Sequence, residues 1–180
     1  MPISPAFCAV DEEKANSADA VPVLVFDHLG VIVEELAGGR EFLRLSLGIS
    51  RWSAVIEDDG LGVDVQFGAA PSGVGPVYEL VAPRGEASPI AGQLGRGKGA
   101  LNHVAYRTAD LAASAAHLRS TGCFATAEPQ PAVAYGGAPV QFWVSPLRFL
   151  IELIGKGEHT HTLLEESSIW TAPRGLEHQR

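Results

Sequence analysis

His28, Glu79, His103 and Glu152 are four polar residues set in stretches that are otherwise apolar. Phe26-Asp27-His28-Leu29-Gly30-Val31-Ile32-Val33 and Leu101-Asn102-His103-Val104-Ala105-Tyr106 each carry a histidine near their start. Tyr78-Glu79-Leu80-Val81 and Ile151-Glu152-Leu153-Ile154 each carry a glutamate. A polar side chain on a buried strand face costs free energy unless something satisfies it. Neutral imidazole nitrogen and carboxylate oxygen are donors for divalent metals, and two of each do not choose among Co, Ni, Zn, Mn and Fe. Four protein ligands on a six-coordinate ion leave two positions, which suits a substrate with two neighbouring oxygens. A carbonyl held there is polarised, and a nearby carboxylate can take the proton α to it. Taken singly, each histidine reads as a satisfied core residue and each glutamate as an edge-strand carboxylate. Their joint recurrence favours a shared task. Asp27 and Asn102, one step along the strand from each histidine, are expected to face the opposite side.

The residues recur because the chain recurs. His28 and His103 stand 75 positions apart, Leu36 and Leu111 keep that offset, and Glu79 and Glu152 are 73 apart. One module of about half the chain is written twice, and such repeats set the architecture. The β-prone run 21–33 predicts a strand holding His28. Leu36, Leu43 and Leu47 predict one helix face over 34–47, stopped by Gly48. Strands follow over 51–57, 61–67 and 76–82, with Asp58-Asp59-Gly60 turning the first hairpin. Ser88-Pro89 reads as a helix N-cap with proline at the first position, and Gly95-Arg96-Gly97-Lys98-Gly99 as the linker. The second copy repeats the order: strand 101–108, helix 110–121, strand 123–127, loop 128–138, strands 140–144 and 148–154. A short outer helix is expected over 162–170. The fold class is therefore α+β, two tandem βαβββ modules forming a curved eight-stranded cleft. The divisions are an N-terminal arm (1–21), a first module (22–85), a joint (86–100), a second module (101–155) and a tail (156–180).

Net charge is −8 over 180 residues, which argues against nucleic acid and anionic membrane as partners and leaves a small molecule. Cys8 and Cys123 form no metal or disulfide pattern, so a reducing cytoplasm is the expected compartment. No run reaches the length of a membrane-spanning helix, and the N-terminus has no secretory pattern. His159 and His161, in the tail, are read as solvent-exposed, and Arg96, Lys98, Arg107 and Arg148 as solvated surface charge.

The five stretches around residues 26–33, 78–83, 88–91, 102–106 and 150–153 resemble the vicinal oxygen chelate superfamily. Within it they are most similar to methylmalonyl-CoA epimerase and glyoxalase I, and the likeness covers residues 24–155. The resemblance implies a divalent metal on His28, Glu79, His103 and Glu152, and a metal-dependent epimerase acting α to a carbonyl, with an acyl-CoA thioester as first candidate substrate. Ser88-Pro89-Ile90-Ala91 and Gly136-Gly137 favour the epimerases over glyoxalase I, which acts on a hemithioacetal. Metal-free binding proteins share the fold. The resemblance also implies two acidic residues flanking the α-carbon: Glu152 matches one, and Asp64, with Gln66 competing, stands near the other. It further implies a homodimer. The loop before the last strand, Ser145-Pro146-Leu147-Arg148, is shorter than the epimerases'.

Overall fold

The computed structural model describes residues 21–94 and 101–165; the N-terminal arm, the Gly/basic linker and the chain after 165 lie outside the described residues. The first module runs β1 (Leu24–Ile32), α1 (Leu36–Leu47), β2 (Arg51–Trp52), β3 (Ile56–Asp58), β4 (Val63–Ala69) and β5 (Val77–Pro83). After a short helix, α2 (Ala91–Leu94), the second runs β6 (Leu101–Thr108), α3 (Leu111–Ser120), β7 (Phe124–Ala125) and β8 (Gln130–Ala132). A 3-10 turn (Val133–Tyr135), β9 (Ala138–Val144) and β10 (Leu150–Ile154) complete it, and β11 (Leu164–Glu165) follows.

These strands form one sheet in the order β11-β2-β4-β5-β1-β6-β10-β9-β7, with β3 on β4 and β8 on β9. In each module the first strand pairs in parallel with the last, β1 with β5 and β6 with β10. A parallel pair needs a long crossover, which the helix and intervening strands provide. The modules join where β1 pairs antiparallel with β6. The sheet curls until its wings touch: Val133 N–H, in the 3-10 turn, donates to Asp58 Oδ2 at the end of β3 (2.9 Å).

Alternation along the strands separates two faces. Val63, Val65, Phe67 and Val81 join Ala105, Tyr135 and Val140 on the concave side. On the convex side α1 covers Trp52 and Leu80, and α3 covers Trp143 and Leu153. Gly48 ends α1 at φ 68°, its N–H donating to Arg44 O, a conformation that favours glycine. Asp110 caps α3 by accepting from Ala113 N–H.

Several local expectations give way to tertiary bonds. The strand expected over 51–57 breaks after Trp52, because Ser53 turns its polar groups sideways: its N–H donates to Phe67 O, its hydroxyl accepts from Phe67 N–H, and its carbonyl accepts from Gln66. The loop expected over 128–138 contains β8 and the 3-10 turn, held to β9 and Asp58. Residues 162–165 are extended instead of helical, because β11 adds to the edge of β2. Leu47 is exposed, the buried face of α1 being Arg40 and Leu43. Ser88 Oγ is buried and caps nothing; only its carbonyl accepts, from Ala91 N–H.

Candidate metal centre

Four adjacent strands, β5-β1-β6-β10, each deliver one of the four recurring residues. Glu79 stands beside Gly30 and Glu152 beside Ala105, each glutamate level with the residue two past its module's histidine. The repeat in sequence is therefore a repeat in register. His28 Nε2 lies 3.0 Å from His103 Nε2. Glu79 Oε2 lies 3.2 Å from His28 Nε2 and 3.3 Å from His103 Nε2. Glu152 Oε2 lies 3.3 Å from both. One donor atom from each residue falls within 4.8 Å of all the others, and all four residues are buried.

The side chains beyond this cluster set its chemistry. His28 Nδ1 donates to Asp27 Oδ1 (2.9 Å), and His103 Nδ1 to Asn102 Oδ1 (3.0 Å). With both Nδ1 atoms donating outward, each ring in its neutral form presents its Nε2 lone pair inward, the tautomer that binds a metal. Asp27 and Asn102 were expected on the opposite face; two β-bulges overturn that. Phe26 pairs with Tyr106 and Leu29 with Val104, so Asp27 and His28 together oppose Ala105. Gly30 pairs with His103 and Val31 with Leu101, which leaves Asn102 as the extra residue on β6. A bulge breaks the alternation and re-aims a side chain. The surroundings are otherwise unequal. Asp27 also receives the Tyr135 hydroxyl (3.3 Å), His159 Nε2 (2.9 Å) and an ion pair with Arg107 Nε (2.9 Å). Among the described residues Asn102 receives no cation, and its amide donates to Gln93 Oε1 (3.0 Å).

Burial works against charge on every one of these groups, and their mutual attraction overcomes it. Burial pushes the Glu79 carboxyl up, while His28 and His103 pull it down to about 2. Glu152 is lowered in the same way. Burial pushes His28 down, but Glu79, Asp27 and Glu152 raise it well above the ordinary imidazole range, and His103 is raised likewise. Asp27 is held far below the usual carboxylate range, against its burial, by His159 and His28. Burial and the neighbouring carboxylates hold the Tyr135 phenol neutral. The cluster thus calls for positive charge at its centre. Glu152 Oε2 is buried and accepts no well-aligned hydrogen bond. Inward lone pairs, two carboxylates and one orphaned oxygen fit a divalent cation.

The cluster forms one wall of a cavity of about 430 Å³. Val65, Val81, Ala134, Val140 and Phe142 line it, with Glu79, His103 and Glu152 at the polar end. The structure does not bring Asp64 to it. Val63, Val65 and Phe67 take the concave face of β4, so Asp64 points to the other, where Arg84 Nη1 holds it (2.7 Å). Gln66, with the same parity, donates to Ser53 O (2.8 Å). Arg107 and the tail histidines are not simply solvated: Arg107 pairs with Asp27, His159 bonds it, and His161 stacks on Phe67 at 3.9 Å. No local pattern marked Tyr135 or His159. The polar residue before each histidine was the available signal for Asp27 and Asn102. Arg148 sits in the tight turn before β10, at φ 70°, with its N–H on Ser145 O.

The comparisons agree with this fold. Over 117 residues the chain is 31% identical to an ethylmalonyl-CoA/methylmalonyl-CoA epimerase from Cereibacter sphaeroides, covering 64% of this chain and 84% of that one. The fold matches a crystal structure of methylmalonyl-CoA epimerase from Mycobacterium tuberculosis with a TM-score of 0.63 at 26% identity, covering 79% of this chain and 96% of that one. It also matches a single-site variant of the Streptomyces coelicolor methylmalonyl-CoA epimerase in complex with 2-nitronate-propionyl-CoA, with a TM-score of 0.60 at 25% identity over 74% of this chain and 96% of that one. The family model described as Glyoxalase/Bleomycin resistance protein/Dioxygenase superfamily matches residues 27–142, and with its paired modules and shared buried cluster the chain belongs to that superfamily.

Proposed function

We propose that this protein is a divalent-metal-dependent epimerase that exchanges the proton α to the carbonyl of an acyl-CoA thioester of the methylmalonyl-CoA type. The observation that carries the reading is the convergence of His28, Glu79, His103 and Glu152 on one point in the wall of a largely apolar cavity. The epimerase relatives support the substrate class. His28, Glu79, His103 and Glu152 are the ligands in this reading. A divalent ion held by them would act as a Lewis acid on a thioester carbonyl and stabilise the enolate.

The remaining work falls to the chain itself. Val65, Val81 and Val140 exclude water, which strengthens every charge interaction at the reacting carbon. Glu152 takes the α-proton, the bonding pair passing into the enolate, and returns it. Glu79 is its pseudo-twofold mate on the other side of the imidazole pair; inversion requires that the enolate be reprotonated on its opposite face, by a proton drawn from solvent. The reading includes a cytoplasmic homodimer, and light scattering on the purified protein tests the pairing.

The test is deuterium uptake from D2O into methylmalonyl-CoA, followed by mass spectrometry with metal-loaded protein. The wild type is expected to exchange and epimerise. Glu152→Gln keeps an oxygen ligand without the base and is expected to lose 10²-fold or more, the usual contribution of a general base. Full exchange in Glu152→Gln removes it as the base. Absence of exchange in wild type loaded with each candidate metal in turn removes the reaction.

A further inference from the structure

Residues 155–165 run from the second module to the far edge of the first. Gly155 N–H donates to Pro139 O (2.8 Å) and Thr160 N–H to Ala134 O (3.0 Å). The Thr160 hydroxyl reaches Val133 O (3.1 Å). Farther on, Arg51 Nη2 donates to Leu163 O (3.2 Å), and Leu164 pairs with Trp52. A Cβ at Gly157 would overlap Ala138, so the segment lies flat against β9 there. Between these anchors it delivers two imidazoles. His161 lies parallel to the Phe67 ring (3.9 Å, 5°), whose other contacts include the edge of His28 (5.4 Å). His159 Nε2 reaches Asp27 Oδ2 (2.9 Å).

We infer that this segment is a strap that completes the outer shell of the metal centre, and that His159 is a positioning residue acting through Asp27 on His28. The inference rests on the metal-centre reading above. Asp27 has two oxygens with separate duties. Oδ1 serves His28 Nδ1 and the Tyr135 hydroxyl; Oδ2 serves His159 and Arg107. Anchoring Oδ2 fixes the carboxylate plane, and that plane aims Oδ1 at the His28 ring. Asp27 is 4% exposed with His159 in place, so His159 covers the carboxylate as well as bonding it. Arg107, 43% exposed, makes its contact without an aligned hydrogen bond, so His159 is the directional partner. Among the described residues the second module has no counterpart: Asn102 is held by Gln93.

The test is Co2+ affinity, by chelator competition, and the visible absorption of the Co2+ complex, both on the full chain. His159→Ala is expected to weaken binding about tenfold, the lower end of the 10–100-fold cost of losing outer-shell partners, because Arg107 remains. Its absorption bands are expected to shift as the His28 ring turns. His159→Gln keeps a reaching N–H donor and is expected to restore most of the affinity; His159→Asn, with too short an amide, is not. If His159→Ala does not fold, the Gln and Asn variants carry the comparison. Wild-type affinity and spectrum in both His159→Ala and His159→Asn overturn the strap's role. Equal losses in His159→Gln and His159→Ala overturn the hydrogen bond as its basis. Wild-type protein that takes up no divalent ion overturns the metal-centre reading, and this inference with it.

Discussion

Gly30→Ala isolates the tertiary requirement of the proposed metal centre in one methyl group. Gly30 lies level with Glu79 on the neighbouring strand and opposite His103. A Cβ built there would overlap three atoms of the His103 ring, Cε1, Nε2 and Nδ1. The backbone at Gly30 needs no left-handed conformation, so the glycine is there for space alone. Overpacking a tight site costs about 1–3 kcal/mol. For a chain of 180 residues that lowers the melting temperature by about 2–12 °C. The effect on metal is expected at or above the upper end of that energy range. Outer-shell substitutions typically cost 10–100-fold in affinity, so displacing a ligand should cost more than about 100-fold, or about 2.7 kcal/mol. The pseudo-twofold mate of Gly30 is Ala105, which is fully buried and carries a methyl group without conflict. Ala105→Gly is therefore the control, expected to keep its metal. Calorimetric titration with Zn2+ and a thermal melt of each variant give the readout. Gly30→Ala with wild-type affinity and an unmoved melting temperature would refute the seating of His103 against this strand.

Asp64→Asn is expected to leave metal affinity and α-proton exchange unchanged, because Asp64 faces Arg84 across the sheet from the cavity; a tenfold fall in exchange would return it to the reaction. Asp27→Asn keeps an oxygen for His28 Nδ1 but removes the charge, and is expected to weaken metal binding 10–100-fold in a competition assay; unchanged affinity would show that hydrogen-bond geometry alone suffices. Metal-free protein has a pH dependence whose sign follows from the shifts. His28 and His103 are raised from 6.5, so their contribution is complete below about pH 6.5 and is lost as pH rises through the raised values. Glu79 is lowered from 4.5 to about 2, so its contribution is present above about pH 4.5 and is lost as pH falls to about 2. Metal affinity should instead rise with pH, because protons leave the imidazoles on binding. Thermal melts from pH 5 to 9 with chelator and with Zn2+ compare the two; a chelated protein that gains stability from pH 6.5 to 9 contradicts the assignment.

Much of the architecture was legible because it is written twice. The recurrence of His28 as His103 and of Glu79 as Glu152 marks the cluster in the sequence alone, and the register of β5 on β1 matches that of β10 on β6. The alternation of Val63, Val65 and Phe67 already placed Asp64 on the opposite face, so the signal that separates it from the cluster was present in the sequence as a parity. Parity misled at Asp27 and Asn102, because a bulge depends on how two strands align and leaves no mark in the residues of one strand.

By itself, then, the sequence determined the two βαβββ copies, the four polar residues that interrupt apolar strands, and the absence of the positive charge a nucleic-acid surface needs. These follow from period, offset and charge, all local or additive along the chain. Only the tertiary structure decided what surrounds the cluster. Tyr135 comes to Asp27 from 108 residues away and His159 from 132, each at the end of a segment with no regular period of its own. Their place was set by the curl of the sheet and by the edge of β2 that the strap pairs with. Such long-range contacts depend on the closed shape as a whole, which no window of the sequence contains.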